Sequence, residues 1–244
     1  MKSCILLFVS VLALAAEPPA AVRLFDAKLH PTQRANACFE LRGKADLDTV
    51  GALGRAMEDP ELLACAAENL RLAGAIDALK QALASPSAEV RAAAARVLGS
   101  FQKPELLASL NQAAQDENAL VSTNALAGLS QYRDAAVVPY LAALSRKGGM
   151  TGDMALDRLA QIDPGAALQV ARELLASSQI PDQLYGIRVI GATGNSSDLP
   201  ALQKIFAGSR ESLAQRGRGF GLMPPINLSR AAEGAIAAIK ERGK

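Results

Sequence analysis

The amino-acid sequence predicts an all-α fold, an α-solenoid of about six stacked two-helix repeats. Half of the 244 residues are hydrophobic, yet only 4% are aromatic and there is no tryptophan. Alanine and leucine supply most of the apolar content, which favours closely packed helices over a β-sandwich. Similar residues recur at intervals of about 31, and helix-breaking residues separate the copies.

Two series of residues define the period. In the first helix of each unit, helix A, apolar residues recur at nearly equal intervals: Leu98, Leu129, Leu159 and Ile190. Four positions before each lies a small residue: Ala94, Ala125, Ala155 and Gly186. In the second helix, helix B, the series is Leu79, Leu110, Leu141, Ala171 and Leu202. We expect the small residues to let adjacent A helices approach closely, and the larger ones to fill the layer between the A and B rows.

Proline, glycine and polar clusters mark the ends of the helices. Together with the period they place repeats near 31–59, 60–85, 86–116, 117–147, 148–179 and 180–209. Residues 16–30 are expected to form a linker or cap before this array of residues 31–209. The last segment, 229–244, begins at Ser229 and ends in a run of charged residues, which predicts a capping helix with a polar terminus.

The N-terminus has the features of a cleavable export signal. Lys2 precedes an uncharged run from Cys4 to Ala16, and small residues at Ala13 and Ala15 predict cleavage near Ala15. A helix as short as this run spans about 20 Å, less than the roughly 30 Å of a bilayer's hydrocarbon core. We therefore predict that residues 1–15 are a signal peptide and that the mature chain is periplasmic or secreted, without a transmembrane anchor.

Removal of the signal would leave two cysteines, Cys38 and Cys65. Two cysteines in an exported chain can form a disulfide. They can equally be small buried hydrophobic residues within helices. Because they fall in helix A of neighbouring units, both outcomes are compatible with the repeat, and the sequence leaves the choice open.

The sequence contains no convincing catalytic, cofactor-binding or metal-binding set. Its single histidine, His30, precedes a proline and is expected at a helix boundary. One histidine and two mature cysteines are too few for a zinc site of the usual composition. Asp46 and Asp48 come just before an apolar helical run, where carboxylates favour the positive end of the helix dipole. We therefore predict a non-catalytic protein without a cofactor or metal.

The helix B positions predicted to face solvent form the first candidate binding surface, called here the B-helix face. Its two columns contain Lys80, Asn111, Ala142, Arg172 and Gln203, beside Gln81, Gln112, Ala143, Glu173 and Lys204. A groove that follows phosphates would be lined with lysine and arginine. These columns are mixed in charge, so we predict a protein or peptide partner in preference to nucleic acid. A plain solvated surface is the alternative.

The second candidate surface is the glycine- and arginine-rich segment 210–228, which interrupts the repeat and is predicted to be a surface loop. Arg216 and Arg218 can pair with carboxylate or phosphate groups, and Phe220 can serve as an apolar anchor. Residues 203–244 also hold eight Lys or Arg against three Glu, a charge of +5 in a chain whose total is +2. A flexible connection with incidental arginines is the alternative interpretation.

The pattern Glu89-Val90-Arg91-x-x-Ala94-x-x-x-Leu98-Gly99 resembles a HEAT repeat, in the short form of the phycobilisome lyase HEAT-like repeats. The resemblance covers roughly residues 31–209 and is most specific at 89–99. It implies a solenoid whose concave side, often lined by B helices, binds partners. The family includes scaffolds, chaperone-like binders, bilin-attaching lyases and a type of DNA-repair glycosylase, so it implies a fold more directly than an activity.

We therefore expect a monomeric scaffold or adaptor that binds a protein or peptide outside the cytoplasm. Two alternatives remain open. One is a chromophore lyase of the phycobilisome type, although the export signal and the lack of an acid–base set count against it. The other is a binder of an anionic envelope polymer, through the basic C-terminal region.

Overall fold

The computed structural model describes residues 17–215 and 227–243, so the predicted signal peptide, residues 1–15, lies outside the described residues. All regular structure in these two ranges is helical, which confirms the all-α class. The chain divides into two compact units, residues 1–73 and 74–244, each with its own buried core. No helix in the described ranges is both long enough and apolar enough to cross a membrane.

The described part of the first unit contains four helices, α1 to α4: Ala20–Arg23, Pro31–Glu40, Leu47–Ala56 and Leu63–Leu72. His30 caps α2, because its Nδ1 accepts a hydrogen bond from the backbone N–H of Thr32 and Gln33 accepts one from the backbone N–H of His30. Asp46 caps α3 by accepting a bond from the backbone N–H of Thr49 at 2.9 Å. His30 and Asp46 are therefore helix-boundary residues, as predicted.

A disulfide between Cys38 and Cys65 joins α2 to α4, with the two Cα atoms 6.3 Å apart. The side chain of Asn69 is buried beside it and donates a hydrogen bond to the backbone carbonyl of Cys38 at 2.7 Å. In the same unit α1 packs against α2 and α3, and α3 packs against α4. The structure therefore realises the first of the two outcomes that the sequence left open for the cysteines.

The described part of the second unit contains ten helices, α5 to α14. They are Ile76–Ala82, Ala88–Ser100, Leu107–Ala113, Ala119–Leu129, Val138–Arg146, Gly149–Ile162, Pro164–Leu174, Ile180–Thr193, Leu199–Gln215 and Leu228–Arg242. Single 3-10 turns precede α7, α9 and α13. Along the chain α6, α8, α10 and α12 are A helices, whereas α5, α7, α9, α11 and α13 are B helices.

Helices of the same kind stack beside one another in the second unit. Each A helix packs against the next A helix along the chain, and α7, α9 and α11 form a second row. The last helix, α14, packs against α12 and α13. This arrangement is the stack of two-helix repeats that the sequence predicts.

The two periodic series form the core of the second unit. The helix A members are fully buried: Leu98, Leu129, Leu159 and Ile190. The helix B members are equally buried: Leu79, Leu110, Leu141, Ala171 and Leu202. The small residues of helix A are also buried: Ala94, Ala125, Ala155 and Gly186. The burial therefore agrees with the predicted register.

Two A helices approach each other closely at a pair of glycines. A Cβ atom added to Gly99 of α6 would lie 2.2 Å from the Cα of Gly128 in α8, so the two backbones touch. We expected this contact at the small residues four positions before the buried leucines. At Gly186 the small residue instead makes room for a B helix, because an added Cβ would lie 2.7 Å from the carbonyl oxygen of Ala171 in α11.

The predicted segments differ from the observed helices in three places. The linker 16–30 contains the short helix α1. Helix α13 continues to Gln215, well into the predicted loop 210–228, because no glycine or proline interrupts the start of that segment. Helix α14 begins at Leu228, capped by the side chain of Asn227, one position before the predicted start.

Candidate functional site

Most of the B-helix face is exposed in the second unit. Seven of its eight polar residues are exposed: Lys80, Gln81, Gln112, Arg172, Glu173, Gln203 and Lys204. Asn111 is partly buried. Ala142, in the same column, is buried because α9 packs tightly against α10 on this side. The sequence predicts that the whole first column faces solvent. In the structure the column is interrupted at α9, so it is not a continuous exposed stripe.

An open groove of about 970 Å³ lies between α5 and α7, and Lys80 and Gln112 both line it. An ion pair between Arg91 and Asp116 lines one side of the groove. Arg91 donates hydrogen bonds to the Asp116 carboxylate from Nε at 2.8 Å and from Nη2 at 3.1 Å. The guanidinium also donates to the backbone carbonyl of Ser85 at 2.9 Å, which holds the pair in place. The Lys80 ammonium forms no ion pair with any residue that the structure describes.

A second groove, of about 610 Å³, lies between α11 and α13 and repeats this arrangement. Arg172 donates to Asp198 from Nε at 2.7 Å and from Nη2 at 3.2 Å. Asp198 is only 5% exposed and also accepts a hydrogen bond from the backbone N–H of Asn195. Lys204 lines the groove and has no ion-pair partner within the described ranges. Both grooves thus combine an arginine–aspartate pair with a lysine that has no ion-pair partner among the described residues.

Arginine–carboxylate pairs neutralise most of the remaining charge along the B helices. Arg146 of α9 donates to Glu173 of α11 at 2.6 Å and 3.2 Å. Its guanidinium holds the pKa of Glu173 below the ordinary value, and Arg172 does the same for the pKa of Asp198. These carboxylates are therefore ionised and paired at neutral pH, and the face does not present a row of free cations.

Sequence reasoning missed these ion pairs, although a signal for them exists. In the first unit Arg34 pairs with Asp59, and in the second Arg91 pairs with Asp116, at the same separation along the chain. In both cases the arginine belongs to helix A and the aspartate to the break that follows helix B. An arginine in helix A followed by an aspartate at the next break is therefore a sequence pattern that predicts these two ion pairs.

The loop residues singled out from the sequence, Arg216, Arg218 and Phe220, lie outside the described residues, so their role stays a prediction. Among the residues that are described, no group of three or more histidine, cysteine or acidic side chains could hold a metal ion.

A cluster of carboxylates between α10 and α12 was not anticipated from the sequence. Asp157 forms an ion pair with Arg188, and Asp182 accepts a hydrogen bond from the hydroxyl of Ser177 at 2.7 Å. Burial, together with repulsion from Asp182 and Asp157, raises the pKa of Asp153 from 3.8 to about 6, although Arg188 opposes the shift. The cluster therefore carries more negative charge than its single guanidinium compensates.

Replacing Asp153 with asparagine is expected to stabilise the protein at high pH alone. The folded state binds the Asp153 proton more tightly than the unfolded state, so ionisation costs stability as pH rises from about 4 to about 6. Because solvent screens this partly exposed site, we expect Asp153→Asn to raise the melting temperature by about 2–4 °C at about pH 8, with little change at about pH 4. Thermal melts followed by circular dichroism measure both, and equal shifts at the two pH values would contradict the assignment.

The stacked A and B helices define an α-helical repeat protein. Residues 76–149 match the family model described as HEAT repeats, which confirms the resemblance predicted from residues 89–99 for that part of the chain. No curated protein sequence matches the chain.

Several solved structures are similar to the chain at low sequence identity. Human deoxyhypusine hydroxylase in complex with glycerol is 18% identical, with a TM-score of 0.36 over 91% of this chain and 95% of that one. An engineered protein is 16% identical, with a TM-score of 0.43 over 90% of this chain and 67% of that one. A designed armadillo repeat protein in complex with the peptide (KR)4 is 15% identical, with a TM-score of 0.33 over 90% and 98% of the two chains. These similarities are too distant to carry an argument on activity or partner.

Proposed function

We propose that the chain is a non-catalytic scaffold that binds a protein or peptide partner along its B-helix face, outside the cytoplasm. The observation that carries the proposal is the pair of open grooves between B helices, one lined by Lys80 and Gln112 and the other by Arg172 and Lys204. Open grooves with a few polar side chains on a rigid stack of helices suit the contact of a chain segment.

The charge pattern supports a protein or peptide in preference to nucleic acid. A protein that follows phosphates needs several free cations in a row. Here Arg172, the arginine of the face, is paired with Asp198, and Glu173 of the face is paired with Arg146 of α9. Lys80 and Lys204 lie in different grooves, so their positive charges are separate. Each ammonium group can pair with one carboxylate of a partner.

The export of the chain is the second part of the proposal. The disulfide between Cys38 and Cys65 supports it, because disulfides persist in oxidising compartments and are rare in the cytoplasm. The charge-free run after Lys2 supplies the signal that such a route requires. Both observations favour a mature protein that begins near Ala16 in the periplasm or the extracellular medium.

Protein recovered from the native host is expected to contain no free thiol before reduction and two thiols after it. The mature chain retains Cys38 and Cys65, which form the disulfide, whereas Cys4 belongs to the predicted signal. Thiol titration under denaturing conditions and intact-mass measurement test the two parts separately. One free thiol with a full-length mass would show that the signal is retained, and two free thiols in a shortened chain would contradict the disulfide.

The segment that contains Arg216, Arg218 and Phe220 is proposed as an auxiliary contact. Its sequence combines positive charge with an aromatic residue in a stretch without the helical repeat. Such residues can contribute charge-assisted pairs and a buried anchor in a complex. The relative contribution of this segment and of the B-helix face can be separated by mutation.

The experiment is affinity capture from the native exported fraction with the immobilised mature chain, followed by mass spectrometry. Three variants are compared with the wild type: Lys80→Glu with Lys204→Glu, the triple alanine variant of Arg216, Arg218 and Phe220, and Lys28→Glu as a control. Lys28 is exposed in the first unit and has no ion-pair partner among the described residues, so its variant makes the same charge change as each single lysine substitution, at a different place.

The proposal requires that the double lysine variant loses most of the captured partner while Lys28→Glu retains it. Loss with the triple variant alone would place the binding site in the segment 216–220. A partner that all variants capture equally, or one that is an anionic polymer released by salt, would contradict binding of a protein at the B-helix face.

A further inference from the structure

Four large apolar side chains are exposed near the N-terminal ends of three successive A helices. They are Leu120 in α8, Met150 and Met154 in α10, and Ile180 in α12, with exposed fractions between 41% and 62%. Leu120, Met150 and Ile180 recur at equal intervals close to the repeat period, so they occupy nearly the same place in successive repeats. Because α8 packs against α10 and α10 against α12, the four side chains lie on neighbouring helices, and they are called here the apolar strip.

The fold itself does not require an apolar residue at this place. In α6 the equivalent position, one repeat period before Leu120, is the exposed Glu89. The A helices are held together instead by their buried positions, such as Leu129 and Leu159. A contiguous apolar surface that contributes nothing to the core is typical of a contact with another molecule.

Carboxylates lie beside the apolar strip. Met150, Asp153 and Met154 share one face of α10, because residues three and four apart are neighbours on a helix. Asp182 of α12 lies close enough to Asp153 for the two carboxylates to repel one another. With Asp157, the strip has three carboxylates against the single guanidinium of Arg188, which is already paired with Asp157.

The unequal charge points to a cation as the missing partner. Burial, followed by repulsion from Asp182 and Asp157, raises the pKa of Asp153 to about 6, and Arg188 offsets only part of this repulsion. A cationic group placed on the strip would relieve the repulsion. Methionine side chains adapt their shape to an apolar surface, which suits a contact made in a complex.

We propose that the apolar strip and its carboxylates dock a basic amphipathic helix of a partner protein. The apolar side of that helix would contact Met150 and Met154, and its lysines or arginines would face Asp153 and Asp182. Adjacent helix axes are about 8–10 Å apart, so the strip across three helices matches about three turns of a docked helix. This contact goes beyond the B-helix face, from which it is separate in both residues and charge.

A synthetic peptide tests the proposal directly. The probe is a fluorescent peptide of about 16 residues in which leucine follows the helical period and lysine fills the other positions. Two matched peptides serve as references: one carries glutamate for lysine, and the other has the same composition with the leucine period broken. Fluorescence anisotropy with the mature chain is expected to show that the basic amphipathic peptide binds at least about tenfold more tightly than either reference.

Variants of the chain locate the contact. Replacement of Met150 and Met154 with serine is expected to weaken binding by about tenfold or more. Phe39→Ser is the matched control, because Phe39 is an exposed apolar residue of the first unit with the same 62% exposure as Met150. Lys80→Glu is a second control on the B-helix face, and unchanged peptide binding there separates this contact from the proposed function.

The charge contribution has its own readout. Binding to the wild type is expected to be tighter at about pH 7.5 than at about pH 5, because Asp153 is ionised only at the higher pH. Asp153→Asn should remove most of that pH dependence, a result that does not depend on how well the methionine variant folds.

Three outcomes would overturn the proposal. In the first, the acidic or the aperiodic peptide binds as tightly as the basic amphipathic peptide. In the second, neither the methionine nor the Asp153 substitution weakens binding. In the third, the peptide fails to bind, whereas anionic lipid vesicles bind and the methionine substitutions abolish that binding. The last result would assign the strip to a membrane surface instead of a partner helix.

Discussion

The Gly99→Ala variant is expected to lose about 3 kcal/mol or more of the free energy of unfolding, because the added methyl group meets the backbone of a neighbouring helix. The new Cβ would lie 2.2 Å from the Cα and 3.0 Å from the carbonyl carbon of Gly128. These are backbone atoms, which cannot rotate away as a side chain can. Helices α6 and α8 would therefore have to separate, and the packing of both against their neighbours would be lost. Urea unfolding followed by helical circular dichroism measures the change.

Gly234 provides the matched control for the same substitution. It lies inside α14 of the same unit, and an added Cβ would meet nothing within 4 Å. Alanine has the higher helix propensity, so Gly234→Ala is expected to raise stability by about 0.5–1 kcal/mol. A Gly99→Ala protein as stable as the wild type would show that α6 and α8 are not in backbone contact.

Truncation of Leu129 is expected to cost about 2–5 kcal/mol, because Leu129→Ala leaves a cavity in a packed core. The side chain is fully buried in α8, which packs against A helices on both sides and against α7. Leu141 in α9 is equally buried and is expected to behave in the same way. The same urea unfolding experiment gives the free energies.

Gln112→Ala is the control for these truncations, since Gln112 is exposed on α7 and its change should stay within about 0.5 kcal/mol. The contrast between buried and exposed positions tests the register of the repeat. Small and equal effects at Leu129, Leu141 and Gln112 would mean that the assigned faces of α8 and α9 are wrong.

The fold could be predicted because each repeat is marked by short-range sequence patterns. Apolar residues at a constant period and helix-breaking residues at the same period predict both the helices and their buried faces. Leu98, Leu129 and Leu159 are fully buried as this pattern requires. The helix ends also follow from local chemistry, as the caps at His30 and Asp46 show.

The features that escaped prediction depend on contacts between distant residues. The pairing of Arg91 with Asp116 spans most of a repeat, and single residue types do not reveal which charges meet. The backbone contact at Gly99 and Gly128 depends on how the helices cross, which the period alone does not determine. The end of α13 at Gln215 was missed because the composition of the following segment was given more weight than its helix-compatible start.

The same limit applies to the candidate sites. Exposure of the B-helix face followed from the period, whereas the grooves depend on the spacing of α5 and α7, which no local pattern contains. The apolar strip was readable as large apolar residues at equal intervals, but apolar residues at helix starts are common and do not by themselves indicate exposure. The charge around Asp153 arises between two helices and needs the tertiary structure.

If the chain is exported as proposed, the location of the disulfide affects the order in which its two units fold. Both cysteines belong to the first unit, as do the ion pairs that Arg23 and Arg34 form. A chain that crosses a membrane from its N-terminus would expose Cys65 to the oxidant while most of the second unit had not yet emerged. The first unit can then become covalently closed using only its own residues, before the helices that carry the grooves reach the same compartment. Export that begins at the N-terminus would thus allow the first unit to fold before the second.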